Sequence, residues 1–91
     1  MLLGTVQITG EELTEAEVKG ICESLNDNSI RILSLRGCRI HDDDFKKLME
    51  GLKECESLAQ LNLNLGVCNG KHRIKWLSEA LLTNEGLNSL L

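Results

Sequence analysis

The residue types that most often bind metals or transfer protons come together at His41, which precedes three consecutive aspartates at 42–44. A histidine beside carboxylates is a possible metal site or acid–base pair. No further His or Cys lies at a suitable ligand spacing, and Cys68 and His72 are separated by a turn. A following helix explains the aspartates, because one would be its N-cap and all three favour the positive end of its dipole. We expect no metal site and no cofactor.

Nucleophilic catalysis would need a serine or cysteine with a base and a group that orients the base. The sequence contains no recognisable arrangement of this kind and neither of the common Gly-rich phosphate-binding motifs. The four cysteines, at positions 22, 38, 55 and 68, include no C-x-x-C pair. We favour reduced thiols in a cytoplasmic protein over disulfide bridges, and we predict that the chain is not an enzyme.

Charge and hydropathy argue against two classes of partner. The 91 residues carry a net charge of −4, whereas non-specific nucleic-acid binding needs clustered Lys and Arg. No apolar run approaches the roughly 20 residues of a membrane span, and the first residues do not match a signal peptide. We therefore expect neither nucleic acid nor a membrane as a partner.

A repeat of 27 to 29 residues organises the chain. The clearest copy of the pattern L-x-x-L-x-L-x-x-N/C-x-L runs from Ile30 to Ile40, and further copies start at residues 3, 58 and 87. This gives repeats at 3–29, 30–57 and 58–86 and the start of a fourth at 87–91. The second half of each repeat places apolar residues at spacings of three and four, which indicates one face of a helix. These residues are Val18, Ile21 and Leu25 in the first repeat, Phe45, Leu48 and Leu52 in the second, and Ile74, Leu77 and Leu81 in the third.

Repeats of this length with a full helix resemble the ribonuclease-inhibitor-like class of leucine-rich repeat proteins, and the resemblance covers essentially the whole chain. It implies an α/β fold: a leucine-rich repeat solenoid with parallel strands on the concave side and helices on the convex side. Its stacked strands would form two buried columns, one of Val6, Leu33 and Leu61 and one of Ile8, Leu35 and Leu63. Residues 1–91 would be a single domain, and we expect it to be part of a longer array.

Local features of the first and third repeats refine this prediction. The resemblance implies that the Asn or Cys of the pattern turns inward and bonds the loop backbone, and Cys38 matches that position. Glu11 stands there in the first repeat, and it should lie at an open edge because a buried Glu is costly. Thr14 and Glu17 have the spacing of a capping box at the start of the first helix. One extra residue in the third repeat should make the loop at 65–70 bulge.

The concave side of the predicted sheet is the first candidate binding surface, because side chains alternate along a strand. Its residues are Thr5, Gln7 and Thr9, Ile32, Ser34 and Arg36, and Gln60, Asn62 and Asn64. Of these, Arg36, Asn62 and Asn64 are the candidate partner-binding residues. The alternative is a merely solvated face, since the surface lacks the large aromatic anchor that binding hot spots usually include.

The start of the third helix is the second candidate, because Lys71, Arg73 and Lys75 put positive charge where the helix dipole favours anions. The cluster is either a docking point for an acidic partner or phosphate, or a solvated basic turn. Trp76 and Leu82 align with outward-facing lysines of the second repeat. Trp76 therefore either anchors a partner or folds over its own loop or onto the neighbouring helix.

These features favour a non-enzymatic protein–protein interaction module, a scaffold or adaptor that binds a protein partner through a rigid repeat surface. One alternative is a structural subunit that stacks end-on in a cytoskeletal or ciliary assembly. It rests on uncapped ends, since Leu87, Leu90 and Leu91 begin a strand with no helix behind it. Such ends also allow self-association. A third hypothesis, a regulator of an enzyme such as a small GTPase, follows from the resemblance, because the class includes the Ran GTPase-activating proteins.

Overall fold

Strands and helices alternate along the chain in the computed structural model, which describes residues 4–90. The order is β1 (Gly4–Gln7), α1 (Glu15–Asn26), β2 (Ile30–Ser34), α2 (Asp42–Glu54), β3 (Gln60–Asn62), α3 (Lys71–Thr83) and β4 (Ser89–Leu90). Each predicted repeat is thus one strand followed by one helix. Leu3 and Leu91, which the repeat pattern also includes, lie outside the described residues.

The four strands form one parallel sheet in the order β1-β2-β3-β4. Parallel neighbours need a crossover connection, and each helix supplies one. The strand register pairs Val6 with Leu33, Leu33 with Leu61, and Leu61 with Leu90. This register confirms the first predicted column and extends it by one residue into β4. The molecule is therefore a small α/β domain.

The second predicted column lies just beyond the strands, where the backbone ladder continues. The amides of Ile8 and Leu35 donate to the carbonyls of Ser34 and Asn62, each at 2.9 Å. Leu35 and Leu63 are buried and Ile8 is half-buried. The column is therefore present and is most open at the β1 edge.

Helices α1 and α2 place their predicted apolar stripes in the core that they share with the inward strand residues. The capping box of α1 is confirmed: the Glu17 amide donates to the Thr14 hydroxyl at 3.2 Å, and the Thr14 amide donates to the Glu17 carboxylate at 3.2 Å. Gly51 of α2 lets the first two helices approach closely, since a Cβ there would lie 3.3 Å from Leu25 Cδ1.

The predicted N-cap of α2 is wrong. The N-cap is His41, whose side chain makes no capping bond, and the three aspartates at 42–44 form the first turn of the helix. The Asp42 carboxylate instead bonds residues of the third repeat. The aspartates still lie at the positive end of the helix dipole.

The predicted buried face of α3 is also wrong. Ala80 is the buried residue of this helix, while Leu77 and Leu81 are half-buried and Ile74 is 55% exposed. Helix α3 packs against α2 on one side, and the other side carries the predicted apolar stripe. Leu77 packs against the core and Leu81 is half-buried, so Ile74 is the member of the stripe that stays exposed within residues 4–90.

The loops behave largely as predicted. The Cys38 thiol is buried and donates to the carbonyl of Ile8 at 3.2 Å, which ties the first two repeats together. Glu11 is exposed, as expected at an open edge. In the third repeat a run of turns replaces the short loop of the second repeat, with Leu65 and Gly66 at positive φ and Val67 fully buried.

Among the helices of residues 4–90, none has both the length and the hydropathy of a membrane span.

Candidate protein-binding surface

Arg73 lies at the junction of the second and third repeats, on the first turn of α3. Its Nε donates to Asp42 Oδ1 at 2.8 Å, its Nη1 donates to the Val67 carbonyl at 3.0 Å, and its Nη2 donates to the Ile40 carbonyl. The guanidinium carbon also lies 4.9 Å from the centroid of the Phe45 ring. With its side chain 13% exposed, Arg73 joins two repeats and has little surface left for a partner.

His72 contributes a second bond to the same carboxylate oxygen, with Nε2 3.0 Å from Asp42 Oδ1. The hydrogen bonds from His72 and Arg73 lower the pKa of the Asp42 carboxyl. An anion at the N-terminus of α2 thus bonds His72 and the cation Arg73 at the N-terminus of α3. This pairing offsets the unfavourable placement of positive charge at the positive end of the α3 dipole.

Trp76 folds onto the neighbouring helix, which is one of the alternatives left open by the sequence. Its ring centroid lies 6.3 Å from that of Phe45, and the His72 ring meets it edge-on at 5.3 Å. The Lys46 ammonium lies 5.9 Å from the indole centroid. The side chain remains half-buried, so part of the ring is still available at the surface.

A groove runs between helices α2 and α3, and we call it the α2–α3 groove. It encloses about 200 Å³. Its lining consists of Lys46, Met49, Glu50, Lys53, Lys75, Trp76 and Glu79. The sequence pattern pointed to Lys75 and Trp76 but missed the residues of α2. The α2 residues could have been found from the spacing of their lysines, because Lys46 and Lys53 are seven residues apart and therefore lie on one side of the helix.

Large exposed apolar side chains concentrate in the third repeat and the strand β4 behind it. Within residues 4–90 these are Leu65, Ile74, Leu82 and Leu90. Leu82 is 89% exposed, as its alignment with an outward-facing lysine predicted. The first two repeats contain no comparable residue in the part of the chain that the structure describes.

The face of the sheet opposite the helices, the predicted concave surface, is mixed in character. Arg36 and Asn64 are exposed, and Asn62 is half-buried. The Asn62 side-chain oxygen accepts a hydrogen bond from the Asn64 amide at 3.0 Å, so it stabilises the local turn. Ser34 is buried between its neighbours Gln7 and Asn62. Arg36 and Asn64 are thus the more accessible residues of the predicted trio.

Asn84, which the sequence analysis did not identify, closes the third helix onto the second repeat. Its amide nitrogen donates to the carbonyls of Leu52 at 2.6 Å and Cys55 at 2.8 Å. Its oxygen accepts from the amides of Gly86 at 3.0 Å and Leu87 at 2.9 Å. The position after the last helical residue was the available signal, because Asn is common at helix ends.

The cysteines do not form a reactive centre. All four are free thiols, with Cys38 and Cys55 buried and Cys22 and Cys68 half-buried. Burial raises the pKa of the Cys22 thiol and that of the Cys68 thiol. Raised values favour the protonated thiol, which is a poor nucleophile and metal ligand.

The chain is similar in sequence to two known proteins that are named for leucine-rich repeats. Over 90 residues, or 99% of the chain, the sequence is 54% identical to leucine-rich repeat-containing protein 73 of Rattus norvegicus. The identity and coverage are the same for the Homo sapiens protein. This homology supports a family named for leucine-rich repeats, and the chain spans 28% of the length of these relatives. No protein-family model matches the chain. No solved structure matches it either.

Proposed function

We propose that the chain is a non-enzymatic module that binds a protein partner, with its binding surface on the third repeat. The observation that carries the proposal is the concentration of exposed apolar side chains in this repeat and in β4. Large exposed apolar groups that gather in one region mark interaction sites more often than scattered ones do. Lys71, Lys75 and the exposed part of Trp76 lie on the same helix as Ile74 and Leu82, and Arg36 and Asn64 would form a secondary polar contact.

Three further observations support the proposal. The relatives are named for a repeat and not for a reaction. The repeat lengths and the strand–helix order agree with a ribonuclease-inhibitor-like solenoid. We propose that these residues form part of such an array, in which a further repeat would cover Ile74 and Leu90 and leave the α2–α3 groove open. The four free thiols suit a reducing cytoplasm, which we propose as the location.

Site-specific photo-crosslinking tests the proposal and does not require the partner to be identified first. Leu82 is replaced by p-benzoylphenylalanine in one variant, and exposed Lys19 of α1 is replaced in a matched control. After irradiation in cells, we expect a discrete higher-mass adduct from position 82 and none from position 19. Equal adducts from both positions, or none from either, would contradict a binding surface on the third repeat.

End-on stacking is a second candidate, which one observation favours. The stripe of α3 and the strand β4 form an open edge, with Ile74 and Leu90 exposed and Leu77, Leu81 and Leu87 half-buried. A strand edge with unpaired backbone groups beside apolar side chains can pair with another chain. Light scattering across a concentration series tests this idea. It predicts an oligomer that Leu90→Glu dissociates, and a monomer at every concentration would end it.

A further inference from the structure

The α2–α3 groove has the size of a site for one large side chain. Its volume of about 200 Å³ is below the roughly 300–1,000 Å³ of pockets that hold small-molecule ligands. Met49, which is buried, and Trp76, which is half-buried, supply the apolar lining. A thioether and an aromatic ring adapt well to an inserted apolar or aromatic side chain. Leu82 lies seven residues after Lys75, on the same side of α3, and is outside the lining of the groove.

The charge of the groove opposes that of the rest of the chain. Lys46, Lys53 and Lys75 line it together with two glutamates, which makes it net positive on a chain of net charge −4. Within residues 4–90 both ion pairs involve Asp42, so none of the three ammonium groups is paired with a carboxylate. The three lysines are available to a partner's carboxylates. An acidic segment would find repulsion over much of the remaining surface.

The indole of Trp76 adds a polar donor to this site. Within residues 4–90 its N–H makes no hydrogen bond, and no buried side-chain nitrogen or oxygen lacks a partner, so this N–H lies at the surface. The N–H is therefore accessible to an acceptor from outside. A tryptophan with one apolar side covered and a free N–H is typical of residues that anchor interfaces.

We propose that the α2–α3 groove binds an acidic peptide segment of a partner protein. The segment inserts one large apolar side chain between Met49 and Trp76 and places its carboxylates beside Lys46, Lys53 and Lys75. This inference rests on the proposed function and specifies its partner by chemistry. A cavity of about 200 Å³, with room for one side chain, favours a peptide over a membrane surface.

Trp76 provides the test, because it is the only tryptophan of the chain. The probe is a blocked synthetic peptide with a central Phe between Glu-rich flanks, and the matched peptides have Lys-rich flanks or Ala in place of Phe. We expect saturable change in Trp76 emission with the acidic Phe peptide alone, and weaker binding at high salt. The variant K46E/K53E/K75E should weaken binding by about tenfold or more.

A second triple variant, K19E/R31E/R39E, is the matched control. It makes the same change in net charge at three exposed cations outside the groove, and we expect it to retain most of the binding. Far-UV circular dichroism confirms that both variants fold. An equal loss in both variants, an equal response to the basic peptide, or no response to the acidic peptide would overturn the proposal. So would a larger response to phosphatidylserine vesicles, which would indicate a membrane.

The two proposals fail in different ways. Crosslinks from position 82 without binding of the acidic peptide would leave the interaction module standing and overturn the chemistry assigned to the groove. Peptide binding that the groove variant abolishes would support the groove. Absence of both signals would contradict both proposals.

Discussion

Helices α2 and α3 have the same length, 13 residues each, and the same apolar spacing, yet they differ sharply in burial. Val18 of α1, Phe45 of α2 and Ile74 of α3 occupy equivalent positions in their helices. Val18 is 1% exposed and Phe45 is 0% exposed, whereas Ile74 is 55% exposed. Phe45 contacts Trp76 and Arg73 of the next helix. The position of Phe45 in its helix therefore faces the next repeat. Ile74 has the same position in α3, and no further repeat covers it within residues 4–90.

The comparison shows that the position of a repeat among its neighbours decides whether its apolar stripe is buried or exposed. In the first two repeats the stripe is buried by the neighbouring repeat, and it stabilises the domain. In the third repeat the same spacing leaves apolar groups at the surface. A position that is buried in the first two repeats is thus exposed in the third within the described residues.

The largest expected effect comes from exchanging the equivalent residues for alanine. Phe45→Ala should lower the free energy of unfolding by about 3–5 kcal/mol, because it leaves a cavity beneath Arg73 and Trp76. Ile74→Ala should cost about 0.5 kcal/mol or less at its exposed position. Urea unfolding measures both, and Phe45→Leu supplies a milder variant if the alanine protein does not fold. Similar losses at the two positions would break the comparison.

Arg73 gives the next effect, because it holds the third repeat on the second. Arg73→Ala should lower the free energy of unfolding by about 2–3 kcal/mol, since it removes a charge-assisted bond and leaves two carbonyls without their donor. Arg73→Lys should recover only part of this loss, because an ammonium cannot reproduce the planar fork. Exposed Lys75 is the control, and Lys75→Ala should stay within about 0.5 kcal/mol of the parent. Full recovery with lysine would show that charge alone matters.

Asn84 sharpens the comparison at the other end of α3. Asn84→Ala should lower the free energy of unfolding by about 2 kcal/mol, because two carbonyls of the second repeat and the amides of Gly86 and Leu87 lose their partner. Asn69→Ala, at an exposed loop position of the same repeat, is the control and should have little effect. Thermal unfolding followed by circular dichroism compares the two. Equal midpoints would mean that water replaces the Asn84 bonds without cost.

The smallest effect is the dependence on pH that Asp42 contributes. Its pKa is lower in the folded chain because His72 and Arg73 donate to it. The unfolded chain therefore takes up the proton first, and the contribution to stability is fully present above about pH 5 and is lost as the pH falls through about 4 and below. Asp42→Asn should flatten the stability profile in this range. Parallel profiles for the two proteins would show that the pair contributes nothing.

Much of the fold was predictable because its signals are local and repeated. The capping box of Thr14 follows from spacing alone, and the columns headed by Val6 and Ile8 follow from the repeat spacing together with the stacking that the resemblance implies. Cys38 turned inward as the resemblance implied. Each of these predictions needs only the pattern within a repeat and the assumption that repeats stack.

The junction between the second and third repeats was not predictable in the same way. Arg73 and Asp42 are 31 residues apart, and their bond depends on the exact rotation of two helices. That bond takes the Asp42 carboxylate away from the role of N-cap. The exposure of Ile74 depends on whether another helix packs against the outer side of α3, which spacing does not encode. The candidate site was therefore found in part: Lys75 and Trp76 from their alignment, but not the α2 residues Lys46 and Met49.

Hydrogen–deuterium exchange along helices α2 and α3 tests the central claim most directly. Because no further repeat packs on α3 within residues 4–90, the amides of α3 should exchange faster than those of α2 in the free 91-residue chain, where fewer buried contacts oppose local opening. Bound partner or acidic peptide should then slow exchange in α3 and leave α1 unchanged. Equal protection of α2 and α3 in the free chain, or protection by the ligand centred on α1, would contradict the claim.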